Sequence, residues 1–311
     1  MLLATGSLNV DVTFKVPRFA PPKAVIEELT EFLGGSGGNA AVAAARILGL
    51  NKVTFLGSVG DDTAGLAHLQ SLRKEGVITD YVKVVKGARS GKAYVAVRRD
   101  GETAIYSYYG ANTLLELKDA EKALNDLKNT LKGLLITNPP LKVATYLSRE
   151  GRRVGLKVFW DPGSTSSKGM HSLKNVLTNT DYLLPNEGEV LLMTGAQSVE
   201  EGVAALRDIN PDIKVVVKKG VNGATLYLPS GDTVTIPAVH PKRLGLEGIA
   251  STTGCGDALT GVFTALIILG FRESEALRMA VIAASYNAGF PGPRNSPTLE
   301  TLEALIRELR E

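Results

Sequence analysis

Apolar and polar positions alternate along the chain in blocks that predict strands and helices in turn. Short apolar runs suit strands that are buried on both faces of a parallel sheet. These runs lie at residues 2–8, 53–59, 134–137, 158–160, 182–184 and 215–217. Helical patterns fill the intervals, at residues 39–49, 61–76, 119–129, 171–178, 198–209, 256–270, 273–288 and 298–309. This alternation predicts an α/β fold with a doubly wound, mostly parallel sheet flanked by helices.

Two segments break the alternation and predict antiparallel strands. The clearest sign is Asp100-Gly101, a dipeptide typical of a tight hairpin turn, which is flanked by strand-like runs at 90–99 and 102–109. We therefore predict a small β-lid, formed by about 12–33 and 90–110. The lid is predicted to be an insertion into a single domain that spans all 311 residues.

Composition and charge narrow the class of protein. Hydrophobic residues make up 44% of the chain and charged residues 22%, which is ordinary for a soluble globular protein. The net charge of +3 is too small to favour binding to nucleic acid or to an anionic membrane. The single cysteine and an N-terminus without a basic signal sequence favour a cytoplasmic protein. Only two glutamines occur, which is one mark of thermophile proteins.

The segment Thr252-Thr253-Gly254-Cys255-Gly256-Asp257 precedes an apolar helical stretch. Small residues let successive backbone N–H groups point at one spot at a helix N-terminus, which favours an anion. An aspartate beside such a site can take a proton from an attacking hydroxyl. A simpler interpretation is that Asp257 only caps the helix. A thiol at a helix N-terminus, here Cys255, can be unusually acidic.

Two further motifs follow short apolar strands, where ligands commonly bind in parallel sheets. Asn186 and Glu189 come after the run at 182–184 and could hold Mg²⁺ through its waters. The alternative is the capped start of a helix, whose first turn favours acidic residues. Lys218-Lys219-Gly220-Val221-Asn222-Gly223 comes after the run at 215–217 and could line a nucleotide, with the first lysine near the phosphates. A plain hairpin turn is the alternative.

A glycine-rich block, Gly34-Gly35-Ser36-Gly37-Gly38-Asn39-Ala40, formally matches a dinucleotide-binding fingerprint. The preceding segment is half polar, whereas the first strand of such a fold is a buried apolar run. We interpret the block as a loop whose backbone approaches a small polar ligand, with Asn39 as donor and acceptor. Close packing of a helix on the sheet is the alternative. Asn9 and Asp11, at the end of the first strand, could chelate vicinal hydroxyls or form an Asx turn.

The order of these motifs resembles that of the ribokinase (PfkB-type) family of carbohydrate kinases. The matching blocks are Gly6-Ser7-Leu8-Asn9-Val10-Asp11, Gly34-Gly35-Ser36-Gly37-Gly38-Asn39, Val59-Gly60-Asp61-Asp62, Asn186-Glu187-Gly188-Glu189, Gly220-Val221-Asn222-Gly223 and Thr253-Gly254-Cys255-Gly256-Asp257. The match extends from residue 2 to about residue 290, which is nearly the whole chain. The resemblance implies a ribokinase-like kinase of a sugar or nucleoside, with a doubly wound core and a β-lid over the sugar.

Through this resemblance each motif acquires an expected role. Asp257 is expected to be the catalytic base, and the anion hole is expected at Gly254, Cys255 and Gly256. The expected sugar contacts are Asn9, Asp11, Gly35, Gly37 and Asn39. The nucleotide is expected at Asn186, Lys218, Gly220, Gly223 and Asn287, with Glu189 binding Mg²⁺ through water. The implied phosphoryl donor is ATP, with ADP as the alternative, and the implied assembly is a homodimer that pairs through the lid.

Departures from the family pattern bear on the cation and the acceptor. Ser251 stands where the family often has an aspartate of a cation-binding loop, which leaves activation by potassium open. The segment 137–140 lacks the glutamate that many ribokinases present to the sugar. The acceptor therefore stays open among ribose, a nucleoside, a ribose phosphate, a hexose phosphate and a keto-sugar acid. Aromatic residues on the predicted lid could stack on a nucleobase, namely Tyr94, Tyr106, Tyr108 and Tyr109.

Two alternatives come from other functional classes. An oxidoreductase would depend on the glycine-rich block alone, and nicotinamide fluorescence on mixing would reveal it. A non-catalytic carbohydrate- or nucleotide-binding protein would be expected to lack the base, whereas Asp257 and its glycines are intact.

Overall fold

The computed structural model describes residues 1–19, 25–98 and 102–309. The strands of this part are β1 (Leu2–Gly6), β2 (Asn9–Val16), β3 (Leu29–Gly34), β4 (Val53–Gly60), β5 (Val77–Val85), β6 (Gly91–Arg98), β7 (Thr103–Tyr108), β8 (Gly133–Thr137), β9 (Lys157–Asp161), β10 (Tyr182–Leu183), β11 (Lys214–Lys218), β12 (Ala224–Tyr227) and β13 (Thr233–Ile236). The helices are α1 (Ser36–Leu48), α2 (Thr63–Lys74), α3 (Leu117–Leu127), α4 (Leu141–Arg153), α5 (Gly169–Leu177), α6 (Glu187–Thr194), α7 (Val199–Ile209), α8 (Cys255–Leu269), α9 (Glu273–Asn287) and α10 (Leu299–Glu308).

A nine-stranded sheet forms the centre of the molecule, in the order β13-β12-β11-β10-β9-β8-β1-β4-β5. Every neighbouring pair from β11 to β5 is parallel, and β12 pairs antiparallel with both of its neighbours. All six predicted apolar runs are strands of this sheet, so the predicted doubly wound fold is confirmed. The sequence pattern missed β5, β13 and α4.

Successive side chains of the buried strands pack on opposite faces of the sheet, as the strand period requires. Leu134 and Ile136 of β8 join one hydrophobic core with α3, α4, α5, α6 and α7. Leu135 joins the other core, with α1, α8, α9 and α10. Helices therefore cover both faces. No helix within the described ranges combines the length and the apolar character needed to cross a membrane.

A second, four-stranded sheet has the order β3-β2-β6-β7. The outer pairs, β2 with β3 and β6 with β7, are antiparallel as predicted, whereas the central pair of β2 with β6 is parallel. The turn residues Asp100 and Gly101 lie outside the described residues. We call these four strands the small sheet, and its action as a lid stays a prediction.

The strand order reverses beside β1, which positions the functional region. From β1 the chain builds β4 and β5 on one side, and it then returns to build β8 and its successors on the other side. In doubly wound sheets, ligands bind at the carboxyl ends of the strands that flank such a reversal. The motifs that follow β1, β8, β9, β10 and β11 all meet at this edge of the sheet.

Candidate active site

The first turns of α1 and α8 bring an amide and a carboxylate together. These two helices cross so closely that a Cβ on Gly261 would lie 2.2 Å from the backbone oxygen of Ala40. The contact holds Asn39, in the first turn of α1, against Asp257, in the first turn of α8. Asn39 Nδ2 donates a hydrogen bond of 2.8 Å to Asp257 Oδ2. The carboxylate thus has a fixed orientation at the edge of the sheet.

Asp257 is not the capping residue of α8. The N-cap is Gly254, whose φ of 77° lies in the left-handed region. A Cβ added to Gly254 would lie 2.5 Å from the Pro293 backbone oxygen. Both features exclude a larger residue at this position. No side chain caps this helix, so the backbone N–H groups of Gly254 and Gly256 have no side-chain acceptor there, while the N–H of Cys255 donates to the Thr252 backbone oxygen at 3.3 Å. The simpler interpretation, in which Asp257 only caps the helix, is therefore wrong.

The surroundings of Asp257 make its carboxylate more basic than usual. Burial is the main reason that the pKa of Asp257 rises to about 6, and the negative charge of Asp161 adds to the rise. The hydrogen bond from Asn39 and the positive charge of Lys218 oppose it. A carboxylate with a pKa near 6 is still ionised at neutral pH, and it accepts a proton more readily than an exposed aspartate does.

Asn9 and Asp11 lie two residues apart on β2 and therefore share one face of the small sheet. Burial, together with the negative charge of Asp257, raises the pKa of Asp11 to about 7, and Arg294 opposes this shift. Asn9 Oδ1 accepts a hydrogen bond of 2.9 Å from Asn112 Nδ2. The structure thus brings Asp11 close to Asp257 and anchors Asn9 beside them.

Arg294 belongs to this cluster, although the sequence pattern gave no sign of it. Its Nε donates to Asn39 Oδ1 at 3.0 Å, and its Nη2 donates to the Gly34 backbone oxygen at 3.1 Å. Burial lowers the pKa of Arg294 to about 10, so the guanidinium stays charged at neutral pH. Because the guanidinium takes the oxygen of the Asn39 amide, the nitrogen of that amide must face Asp257.

The predicted glycine-rich loop is instead the beginning of a helix. Gly35 is the N-cap of α1, and Gly37 and Asn39 lie inside its first turn. A Cβ on Gly37 would lie 2.6 Å from backbone atoms of Gly6, because α1 packs directly on the end of β1. The alternative of close packing between helix and sheet is thus confirmed for Gly37.

A buried ion pair lies on the other side of the α8 N-terminus. Lys218 Nζ donates to Asp161 Oδ2, which also accepts a hydrogen bond of 2.7 Å from Thr260 Oγ1. Burial lowers the pKa of Lys218, but the negative charges of Asp161 and Glu189 outweigh it and the pKa is raised. Lys218 Nζ lies 3.8 Å from the position of a Cβ on Gly256, so its charge faces the first turn of α8.

Asn186 and Glu189 form the predicted capped helix start. Asn186 Oδ1 accepts from the Glu189 backbone N–H, and Glu189 Oε2 accepts from the Asn186 backbone N–H, both at 2.8 Å. Burial and the negative charge of Asp161 raise the pKa of Glu189. The cap leaves the second carboxylate oxygen of Glu189 available at the edge of the sheet.

The acidic side chains here fit a magnesium ion that is held mainly by other ligands. The described ranges contain no group of three or more His, Cys, Asp or Glu side chains that could hold a metal. Mg²⁺ in phosphoryl-transfer sites typically takes one or two carboxylates, several waters and the substrate phosphates. Glu189 and Asp161, which lie beside Lys218, supply that smaller set.

Three other predicted site residues lie in a surface turn or in the core. Gly220 and Gly223 flank the short exposed turn that joins β11 to β12, so the hairpin alternative is confirmed for this segment. Asn287 is fully buried, where its Nδ2 donates to the Thr253 backbone oxygen at 3.3 Å. Its contact therefore supports the turn before α8, and a contact with the nucleotide stays a prediction.

The expectation of an acidic thiol is wrong, and two of the four lid tyrosines face away from the cleft. Burial raises the pKa of Cys255, so this thiol is not unusually acidic despite its place at a helix N-terminus. Tyr94 and Tyr106 share one face of the small sheet with Val12, and this face is opposite to that of Asn9 and Asp11. These tyrosines therefore face away from Asp257.

Comparison with known proteins agrees with the fold and the motifs. The family model described as pfkB family carbohydrate kinase matches residues 1–301. An ATP-dependent ribose-1-phosphate kinase of Halopiger xanaduensis is 29% identical over 310 residues, which cover 99% of this chain and 98% of the relative. A ribokinase of Arabidopsis thaliana is 27% identical over 298 residues, covering 91% of this chain and 75% of the relative.

A solved structure of Arabidopsis thaliana ribokinase, complexed with ribose and ATP, has the same fold. It superposes with a TM-score of 0.82 at 24% identity and covers 98% of each chain. The small sheet and the nine-stranded sheet are thus parts of a known architecture.

Proposed function

The chain belongs to the pfkB family of carbohydrate kinases, and we propose that it transfers the γ-phosphoryl group of ATP to a hydroxyl of a ribose-type acceptor. The observation that carries this proposal is the pair formed by Asn39 and Asp257 at the N-terminus of α8. A basic carboxylate there adjoins uncapped backbone N–H groups on one side and the polar face of the small sheet on the other. The relatives named for ribose 1-phosphate and ribose support the class of acceptor.

In the proposed reaction, Asp257 accepts the proton of the attacking hydroxyl. A bond forms between the acceptor oxygen and the γ-phosphorus, while the bond from that phosphorus to the bridging oxygen breaks and ADP leaves. Asn39 orients the carboxylate, and the N–H groups of the α8 N-terminus face the developing negative charge. Asn9 and Asp11 would bind sugar hydroxyls. The lack of a side chain at Gly35 and Gly37 would let the start of α1 pack on residues 6–9 and so place Asn39 beside the sugar.

Lys218 is the cation that we assign to the nucleotide phosphates. Its ammonium lies beside Gly256 at the start of α8 and donates to Asp161, whose carboxylate is held in turn by a hydrogen bond from Thr260. Magnesium bound through water at Glu189 would shield the charge of the phosphates. Asn186 and the turn at 220–223, at the ends of the neighbouring strands, would border the nucleotide.

The small sheet is proposed to close over the acceptor and exclude water. Its polar face carries Asn9 and Asp11 toward the cleft. The opposite face carries Tyr94 and Tyr106, which are 40% and 65% exposed, and pairing of two chains through this face would cover them. Closure would limit wasteful hydrolysis of the nucleotide.

An acceptor panel tests the proposal directly. The protein is mixed with ATP or ADP and with ribose, ribose 1-phosphate, a nucleoside or fructose 6-phosphate. The nucleotide product and the phosphorylated acceptor are then quantified. The expected result is nucleotide turnover that depends on a ribose-type acceptor, with one phosphorylated product per nucleotide consumed. Turnover that is the same with and without every acceptor, or none with any pair, would contradict a sugar kinase.

A further inference from the structure

A cavity adjoins the proposed acceptor site at the end of β8. Its volume is about 480 Å³, and Asn112, Asn138, Ser164 and Lys168 are among the residues that line it. Asn112 also donates the hydrogen bond to Asn9 Oδ1, so one side chain belongs to the wall of both spaces. The cavity therefore lies next to the site proposed for the sugar.

The cavity differs in charge from the cleft around Asp257. No aspartate or glutamate is among its lining residues, and Lys168 is the one charged side chain there. Lys168 forms no ion pair with any residue in the ranges 1–19, 25–98 and 102–309. Lys168 is exposed at the mouth of the cavity, where a 3-10 helix (Gly163–Lys168) ends and α5 begins. The positive charge at this wall is therefore available to a ligand.

Asn138 gives the cavity a second polar group in a constrained conformation. Its φ of 55° lies in the left-handed region, which non-glycine residues adopt rarely and often at functional sites. A Cβ on Gly163 would lie 2.1 Å from Asn138 Nδ2, so the glycine makes room for this amide. Asn138 Nδ2 donates to no acceptor in the described part of the chain, which leaves a hydrogen-bond donor at the cavity wall.

We infer that this cavity binds a phosphate group of the acceptor, remote from the hydroxyl that reacts. Lys168 would provide the charge and Asn138 Nδ2 a hydrogen bond, while the sugar occupies the site of Asn9, Asp11 and Asn39. The inference rests on the proposed kinase function, and it narrows the acceptor to a ribose-type sugar phosphate. A neutral sugar would fill the same site near Asp257 but would leave Lys168 with water alone.

The test compares two acceptors that share the same free 5-hydroxyl, ribose 1-phosphate and ribose. Steady-state kinetics are measured for the wild-type protein, for Lys168→Gln and for Lys168→Arg. Lys174→Gln is the matched control, because Lys174 is an exposed lysine of the same helix that does not line the cavity. Binding of ribose 1-phosphate without nucleotide is measured by calorimetry as a readout independent of turnover.

Wild-type protein should prefer ribose 1-phosphate. Lys168→Gln should raise the KM for ribose 1-phosphate by about tenfold or more and weaken its binding equally, because a charge-assisted hydrogen bond is lost. The KM for ribose should change by less than about twofold, as expected where no bond is lost. Lys168→Arg should restore most of the affinity, and Lys174→Gln should match the wild type.

Equal effects of Lys168→Gln on both acceptors, or no effect on either, would overturn the phosphate site. A wild-type protein that phosphorylates ribose and neither binds nor phosphorylates ribose 1-phosphate would overturn it as well, while the kinase function would stand. Failure to transfer phosphate to any acceptor, with ribose 1-phosphate still bound through Lys168, would instead remove the kinase function.

Discussion

Asn39 links charges of opposite sign in the cleft. Its amide oxygen accepts from Arg294 and its amide nitrogen donates to Asp257, so the buried guanidinium determines which end of the amide meets the carboxylate. A carboxylate that accepts a hydrogen bond is stabilised in its charged form. This bond therefore keeps the pKa of Asp257 lower than burial alone would set it.

The pH dependence of turnover should report Asp257. Since burial raises its pKa to about 6, the active carboxylate form is lost as the pH falls through that value, and kcat/KM should decline on the acid side. Asp11, whose pKa is about 7, adds to this decline, but only Asp257 accepts the hydrogen bond from Asn39. Asn39→Ala removes a hydrogen bond to the charged form, so it should move this decline to higher pH. Circular dichroism at pH 5 would verify that the fold persists. An acid limb near pH 4, or one that Asn39→Ala leaves in place, would contradict the role of this carboxylate.

At the scale of elements, the contact between α1 and α8 sets the geometry of the site. Gly261 should be the most sensitive point of this contact, because its Cβ position lies 2.2 Å from the Ala40 backbone oxygen. Gly261→Ala should force the helices apart and lower the free energy of unfolding by about 1–3 kcal/mol. Thermal or urea unfolding measures this loss, and turnover should fall with it because Asn39 and Asp257 separate.

Gly188→Ala is the matched control for Gly261→Ala. Gly188 lies in the first turn of α6, and the nearest atom to its Cβ position is 3.4 Å away. This change should leave stability equal or slightly higher, since alanine favours the helix. Equal stability of the two variants would show that the helices do not pack as closely as described.

The elements that the sequence predicted are those with a clear period or a buried run. The apolar strands of the central sheet and the helix after Asp257 are of this kind. β5 was missed because it is the edge strand of the sheet, where charged residues such as Asp80 and Lys83 interrupt the apolar pattern. The start of α1 was placed too late, because Gly37 and Gly38 obscured its first helical turn, which packs on Gly6.

At the scale of the whole molecule, the site assembles residues that lie as far apart in the chain as Asn9 and Arg294. The parallel strands deliver their carboxyl ends to one edge, so an acid after an apolar run, such as Asp161, could have been predicted to lie there. The position of Arg294 could not have been predicted, because its loop is rich in proline and glycine and has no periodicity. Its place depends on tertiary contacts with Asn39 and Gly34 that no local pattern encodes.

The most direct measurement is the kcat of Asp257→Asn with the best acceptor of the panel, beside that of the wild type. The substitution keeps the shape of the side chain and removes its negative charge and its ability to take a proton, so kcat should fall by about 10²–10⁴-fold while the acceptor still binds. The variant should be no less stable than the wild type at pH 8. The pKa of Asp257 is higher in the folded than in the unfolded chain, so ionisation of this aspartate lowers the free energy of unfolding as the pH rises to about 6, and the loss persists above that pH. A folded variant that retains more than about a tenth of the wild-type kcat would contradict Asp257 as the base.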